Sequence, residues 1–365
     1  MSVRLFLAGD VMTGRGVDQI LAHPSPPELY EPHVRFADQY VERAEAVNGP
    51  IPRHAAPDYV WGDGLAVLER RRPDARIVNL ETSVTTSEAA LPKGINYRMH
   101  PENAEVLTAA EIDCCVLANN HVLDWDVAGL LETLETLERA GVQVAGAGRE
   151  AAAADAPATL PAGGGARVLV FGFCAGDSGV PPDWTAGRRT PGVNRLLDLS
   201  DTTVEGIGER VAALKGENDL VVASIHWGSN WGYEIPRAHR RFGRALVDGA
   251  GVDAVHGHSA HHPKAVEVYR GRPILYGCGD LINDYEGISG HEDVRGDLAV
   301  MYFLTFELPG GTLRELDLVP MRVRNFRLQH PAEADRDWLH RRLRRECERF
   351  GHDVELREEG YSLEW

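Results

Sequence analysis

Five apolar runs of this chain end in side chains able to hold a metal ion. Leu5-Phe6-Leu7-Ala8 leads into Gly9-Asp10, Arg76-Ile77-Val78 into Asn79-Leu80-Glu81, and Cys115-Val116-Leu117-Ala118 into Asn119-Asn120-His121. Val221-Val222-Ala223-Ser224-Ile225 leads into His226-Trp227-Gly228, and Val252-Asp253-Ala254-Val255 into His256-Gly257-His258, with His261 close behind. One such ending is ordinary. Five fit a single rim, because ligands of α/β sheets bind in the crevice beyond the carboxyl ends of the strands. The donors are two carboxylates, one amide oxygen and several imidazoles, with no thiolate. Such an O/N set suits Mn, Fe, Zn, Co or Mg and argues against a structural Cys-type zinc. A carboxylate can bridge two cations, and two cations about 3.5–4 Å apart can activate water and stabilise charge on the attacked centre.

The elements that must position these residues follow from hydrophobic periodicity. Strands are expected over 4–8, 76–80, 113–118, 142–145, 167–173, 220–225 and 252–255. Between them lie helical patterns over 62–72 and 104–110, and one carried by Val127, Leu130, Leu131, Leu134 and Leu137. Asp124 or Asp126 can cap that last helix and Gly141 follows its end. Val204, Ile207, Val211 and Leu214 mark another helix. Pro236 suits the first position of a further one, along which Phe242, Ala245, Leu246 and Gly249 share a face. Later runs over 266–269, 274–276, 298–308 and 313–319 are joined by tight turns and read as antiparallel strands. Residues 22–59, 85–97 and 176–196 are rich in Pro, Gly and charge and read as loops that could cover a site. The fold class is α/β, with mixed sheets flanked by helices. Residues 1–325 would form the domain, and 326–365 a helical extension packed on it.

Composition narrows the function classes. A chain of 365 residues, 43% apolar, can bury a large core. A net charge of -17 disfavours nucleic acid and anionic membrane, and no motif-bearing segment carries a compensating basic stripe. The basic run 341–345 is mixed with Glu346 and Glu348 and reads as a solvated helix face. Five cysteines without a CxxC pattern suggest buried free thiols in a reducing compartment. No apolar run approaches the ~18 residues of a membrane span, so a cytoplasmic protein is expected. Gly176-Asp177-Ser178-Gly179 matches the serine-protease tetrapeptide but lacks the strand spacing of that fold. GxxxxGK[ST] and HExxH do not occur. His256 and His262 read as buried or supporting residues, and His100, His239, His291, His330, His340 and His352 as surface residues.

Taken in order, Gly9-Asp10-Val11-Met12-Thr13-Gly14-Arg15, Asn79-Leu80-Glu81-Thr82 and Leu117-Ala118-Asn119-Asn120-His121-Val122-Leu123-Asp124 form the first half of a recognisable set. His226-Trp227-Gly228, Gly257-His258-Ser259-Ala260-His261-His262-Pro263 and Ile274-Leu275-Tyr276-Gly277-Cys278-Gly279-Asp280 complete it. The set resembles the CapA-type proteins of the poly-γ-glutamate capsule-synthesis group, relatives of the calcineurin-like metallophosphoesterases. The resemblance implies that fold, two divalent metal ions (Mn, Fe or Zn), and hydrolysis of a phosphoester or a γ-glutamyl-type amide. The alternative is a non-hydrolytic accessory role in polymer synthesis. It implies that Asp10 holds one metal, Glu81 bridges both, Asn120 and His226 hold the second, and His258 and His261 give one imidazole to each. His121 would donate a proton or stabilise the transition state, with Asp124 orienting its ring. Arg15 and Arg98 are candidates for gripping a small anionic or γ-glutamyl substrate. Met12 stands where the related phosphoesterases keep a histidine, which leaves the first metal one ligand short. Gly279-Asp280 stands where the family usually has Gly-Asn, and with Asp284 and Glu286 adds carboxylates, beside the amide of Asn283, near the site. Oligomeric state is left open.

Overall fold

The computed structural model describes residues 1–288, 290 and 293–365; His291 lies outside the described residues. Two mixed sheets with flanking helices share one hydrophobic core, an α/β sandwich of the expected class. Ser2–Val11 is central in the ten-stranded sheet. It is buried almost throughout, so its sequence reads as an unbroken apolar run rather than an alternation. On one side it pairs in parallel with Ala75–Leu80, followed by Cys114–Val116 and Gln143–Ala145. On the other it pairs antiparallel with Leu298–Glu307, which is followed by Thr312–Arg324.

In the six-stranded sheet, Leu220–His226 lies in parallel between Arg167–Cys174 and Ala254–His258. Helices Asp63–Arg71, Glu105–Ala109, Asp126–Arg139, Asp201–Leu214 and Arg237–Gly249 lie between these strands in sequence and send the chain back for each parallel pairing. Where the sheets meet, His256 of the smaller sheet donates Nε2–H to the Ala8 carbonyl of the larger, 2.9 Å away. The carboxyl ends of both central strands therefore open on one crevice.

Three segments differ from the sequence reading. Residues 22–59 contain a helix, Asp38–Asn48, which buries Tyr40, Val41 and Ala44. Three apolar positions among charged ones are too faint a stripe to announce it. Pro236 caps Arg237–Gly249 from outside instead of opening it. The tail is more than helical. After helix Glu333–Glu348, strands Asp353–Arg357 and Gly360–Glu364 form a hairpin. That hairpin pairs antiparallel with Thr312–Arg324 at Asp317↔Ser362 and Leu318↔Tyr361, extending the large sheet. All five cysteines are free and buried. Among the described residues no helix is long and apolar enough to cross a membrane.

Candidate metal centre

The first cluster is a product of register. The short strand Asp280–Ile282 pairs in parallel with Ser2–Val11 so that Asp10 faces Asp280. The backbones approach closely enough for Asp10 N–H to donate to the Gly279 carbonyl at 3.0 Å. A Cβ on Gly9 would sit 2.0 Å from that same oxygen, so glycine is required there. Asp10 accepts from Asn79 Nδ2 (2.7 Å) and from the Ser259 N–H (3.2 Å). Asp10, Glu81, His261 and Asp280 each bring one donor atom into a group whose members lie within 4.8 Å of one another, and all four are buried. His261 Nδ1 is 2.9 Å from Asp280 Oδ1, and Asn283 donates to Asp280 Oδ2 at 2.9 Å. Asp280, which the sequence reading placed only among the nearby carboxylates, thus joins Asp10, Glu81 and His261 in one group. Its signal is the same as that of Asp10: Gly-Asp after an apolar run.

The second cluster comes mainly from the smaller sheet. His226 and His258 are register partners with Nδ1 atoms 2.8 Å apart. His226, His258 and Asp10 also meet within 4.8 Å, so Asp10 belongs to both groups. Asn120 Oδ1 lies 3.1 Å from His226 Nε2, and Glu81 Oε1 lies 3.9 Å from the same nitrogen. Asn119 fixes the turn that presents Asn120 and His121. Its Oδ1 accepts from the N–H groups of His121 and Val122, and its Nδ2 donates to the Leu80 carbonyl at 2.8 Å. Ser259, next to His258, holds a φ of 97°, a conformation that costs of order 1–3 kcal/mol outside glycine and is typical of functional sites. That backbone turns the Ser259 N–H onto Asp10.

His121 stands beside both clusters, its Nε2 4.0 Å from Glu81 Oε1. Its Nδ1 is 2.6 Å from Asp124 Oδ2, and its ring stacks on Tyr97 with centroids 3.9 Å apart. Asp124 does not cap helix Asp126–Arg139, whose N-cap is Trp125. Instead it accepts from Lys93 Nζ (2.7 Å) and the Tyr97 N–H (2.6 Å). Lys93 also donates to the Asn120 carbonyl. Lys93 and Tyr97 belong to the loop 85–97 and were not singled out by residue type. A cavity of about 630 Å³ adjoins this site, with Asn120, His121, His261, Lys93, Tyr97 and Trp231 on its wall.

The two arginines proposed as anion grips are engaged elsewhere. Arg15 is buried and lines the cavity, but its guanidinium is paired with Asp284 and Glu31 and lies over the Tyr40 ring at 3.7 Å. Two carboxylates already neutralise it, and it also lies over Tyr97 at 4.8 Å, bracing the ring that stacks on His121. Arg98 is outside the cavity wall. It donates to the carbonyls of Ser87 and Pro26 and stacks 3.9 Å over Trp125. His239 is a further correction, since it is buried. It stacks on Trp227 at 4.7 Å, and its Nε2 is 2.7 Å from Asp177 Oδ2. Asp177 Oδ1 in turn accepts from the Gly228 N–H at 3.1 Å, steadying the turn after His226. Ser178 of the protease-like tetrapeptide is buried and donates to the Ala175 carbonyl at 2.8 Å. Of the other histidines expected at the surface, His100, His340 and His352 are partly covered and His330 is exposed.

Electrostatics divide the site. Burial, and then the charge of Asp280, push Asp10 up to about 7. Burial, followed by Asp10 and Asp280, drives Glu81 well above the carboxylate range. Burial holds His226 and His258 well below the usual imidazole value. It takes His121 down to about 4 against the pull of Asp124. For His261 burial acts downward, yet the charge and hydrogen bond of Asp280 leave it raised. Crowded carboxylates that repel one another, beside neutral imidazoles with free lone pairs, form a donor set that fits divalent cations.

Residues 4–285 match a family model described as bacterial capsule synthesis protein PGA_cap. The chain is 45% identical over 357 residues to a probable polyglutamine synthesis accessory protein of Mycobacterium tuberculosis (strain CDC 1551 / Oshkosh), covering 97% of this chain and 94% of that one. It is 28% identical over 298 residues to the PGA biosynthesis protein CapA of Bacillus subtilis (strain 168), covering 81% and 66% respectively. A solved structure titled as a novel phosphatase from Mycoplasma pneumoniae aligns over 93% of this chain and 98% of that one, at 12% identity and a TM-score of 0.47.

Proposed function

The chain belongs to the bacterial capsule synthesis family PGA_cap, and we propose that it is a dinuclear metal-dependent hydrolase of a small anionic or γ-glutamyl substrate. Asp10, Glu81, His261 and Asp280 would hold one divalent ion, and Asn120, His226 and His258 the other, with Asp10 within reach of both groups and Glu81 3.9 Å from His226. Mn, Fe or Zn would supply Lewis acidity and a water activated at neutral pH. His121 carries the reading. Its Nδ1 faces Asp124 at 2.6 Å, its ring is held against Tyr97, and it lines the cavity beside the ligand cluster. With Nδ1–H held by Asp124 and the ring neutral, Nε2 carries the lone pair that would take a proton from the attacking water and, while Asp124 supports the imidazolium, pass it to the leaving group. Lys93 balances the charge of Asp124 and ties it to the Asn120 carbonyl, so ligand and proton donor move as one unit.

Phosphorus of a phosphoester and the carbonyl of a γ-glutamyl amide both gather negative charge when attacked, and the same donors serve either. Purified protein loaded in turn with Mn, Fe and Zn should cleave bis(p-nitrophenyl) phosphate or γ-glutamyl p-nitroanilide. His121→Ala should lower turnover by about 10²–10⁴-fold with bound metal unchanged. Cleavage of neither substrate with any of the three metals would remove the hydrolase reading. A second reading has its own support in the mycobacterial relative, whose name is that of an accessory protein. There the site would bind an anionic chain or a phosphorylated intermediate without cleaving it, and His121→Ala would leave cellular polymer synthesis unchanged.

A further inference from the structure

Beneath the imidazole cluster runs a buried chain of hydrogen bonds that the hydrolase reading does not use. Ser224 and His256 are register partners one step in from His226 and His258. Side chains two apart on a strand share a face, so all four lie on one side of the smaller sheet. His256 Nε2 is 2.9 Å from the Ala8 carbonyl, His256 Nδ1 is 2.9 Å from Ser224 Oγ, and Ser224 Oγ is 3.0 Å from His258 Nε2. Ser224, His256 and His258 are each 0% exposed.

The protons of this chain can be assigned one by one. A carbonyl oxygen only accepts, so His256 Nε2 carries a proton. The contacts of His256 are a hydroxyl and a carbonyl, with no anion to support a buried imidazolium, so the ring is neutral and Nδ1 accepts. Ser224 therefore gives its single proton to His256. Its oxygen then accepts from His258 Nε2, which leaves His258 Nδ1 bare. That atom faces His226 Nδ1 at 2.8 Å and Asp10 Oδ1 at 3.7 Å.

We infer that Ser224 and His256 are positioning residues that lock His258 in the tautomer whose Nδ1 lone pair points into the second metal position. The inference rests on the two-metal reading of the site. The count also explains why a cation belongs there. With the Asn120 oxygen turned inward, as its ligand role requires, His226 has one proton for two contacts, His258 Nδ1 and Asn120 Oδ1. One contact is left as two facing lone pairs, and a cation satisfies both. The reference point of the chain is Ala8, two residues before Asp10, so the backbone of one sheet sets the ligand tautomer of the other.

The test uses the full-length chain stripped with EDTA, with imidazole tautomers read by long-range ¹⁵N–¹H correlation and Mn²⁺ binding read by titration. Wild type should show His258 protonated at Nε2. Ser224→Ala should mix its tautomers and weaken one of the bound equivalents by about 10–100-fold. Ser224→Thr, which restores the hydroxyl, should recover both readouts. Wild-type His258 found protonated at Nδ1 would overturn the inference whatever the variants do. So would Ser224→Ala with unchanged tautomer and affinity, or Ser224→Thr behaving like Ser224→Ala. A wild-type chain that binds no Mn²⁺ would sink the metal reading instead, and the tautomer comparison would still judge the relay.

Discussion

The carboxylate cluster around Asp280 and the imidazole cluster around His258 share Asp10 but solve opposite electrostatic problems. The first gathers three carboxylates and one raised histidine from strand ends of the large sheet and the loop after Ala254–His258. Its three carboxylates repel one another, and His261 is the member whose charge offsets them. The second gathers neutral imidazoles and an amide, and its order comes from hydrogen bonds rather than from charge. One half is crowded with like charge; the other is ordered by hydrogen bonds within the protein itself.

The largest effect should follow from removing Asp280. Asp280→Ala removes one carboxylate of the first group and leaves the His226 and His258 pair in place. Elemental analysis of the reconstituted protein should fall from two equivalents of metal to one. Two equivalents retained by the variant would mean that Asp280 only orients His261, and the contrast between the halves would lose its structural basis.

Next in size is the pH dependence of the metal-free protein, where the halves should pull in opposite directions. Asp10 and Glu81 are raised on folding, so the folded state binds more protons than the unfolded one above the ordinary carboxylate pKa. Their contribution is fully present below about 3.8 and is lost as pH rises toward about 7 for Asp10. His261, also raised, loses its contribution in the same sense as pH climbs past its folded value. His226, His256 and His258 are lowered, so the unfolded state takes up protons first, and stability is lost as pH falls below 6.5. A tenfold difference in proton affinity between the folded and unfolded states is worth about 1.4 kcal/mol. Urea unfolding of EDTA-treated protein should therefore weaken on both sides of an intermediate optimum. Asp280→Asn should flatten the alkaline arm alone, because the charge of Asp280 helps to raise both Asp10 and Glu81. A variant that flattened both arms equally would contradict the division.

The same contrast explains what could be read from residues alone. Asp10, Glu81, Asn120, His226 and His258 follow apolar runs whose strands are central in their sheets, and central strands announce themselves by continuous hydrophobicity. Asp280 follows such a run too, yet it opens its own short strand, Asp280–Ile282, and does not close one. Its partner is Asp10 some 270 residues earlier, a long-range pairing that no local pattern encodes. Lys93, Tyr97 and His239 act through loops and stacking, where residue type carries no period. The tail hairpin was missed because one strand, Asp353–Arg357, is charged and largely exposed, and what buries Tyr361 is the large sheet itself.

The smallest effect on chemistry is expected at Arg98, and it separates a site residue from a support. Its guanidinium is used on two backbone carbonyls, Ser87 at 2.9 Å and Pro26 at 3.1 Å, and on the face of Trp125. Trp125 in turn donates to the Tyr97 carbonyl at 3.0 Å, so Arg98 braces the loop that carries the His121 stacking partner. Arg98→Ala removes the stacking and leaves two carbonyls short of a donor, which should cost about 1–3 kcal/mol of unfolding free energy. Loss of support rather than of a substrate contact should leave KM within about twofold of wild type. Thermal unfolding beside steady-state kinetics on whichever substrate is cleaved reads both. A KM raised tenfold with unchanged stability would return Arg98 to the substrate and move the anion grip out of the cavity walled by Lys93.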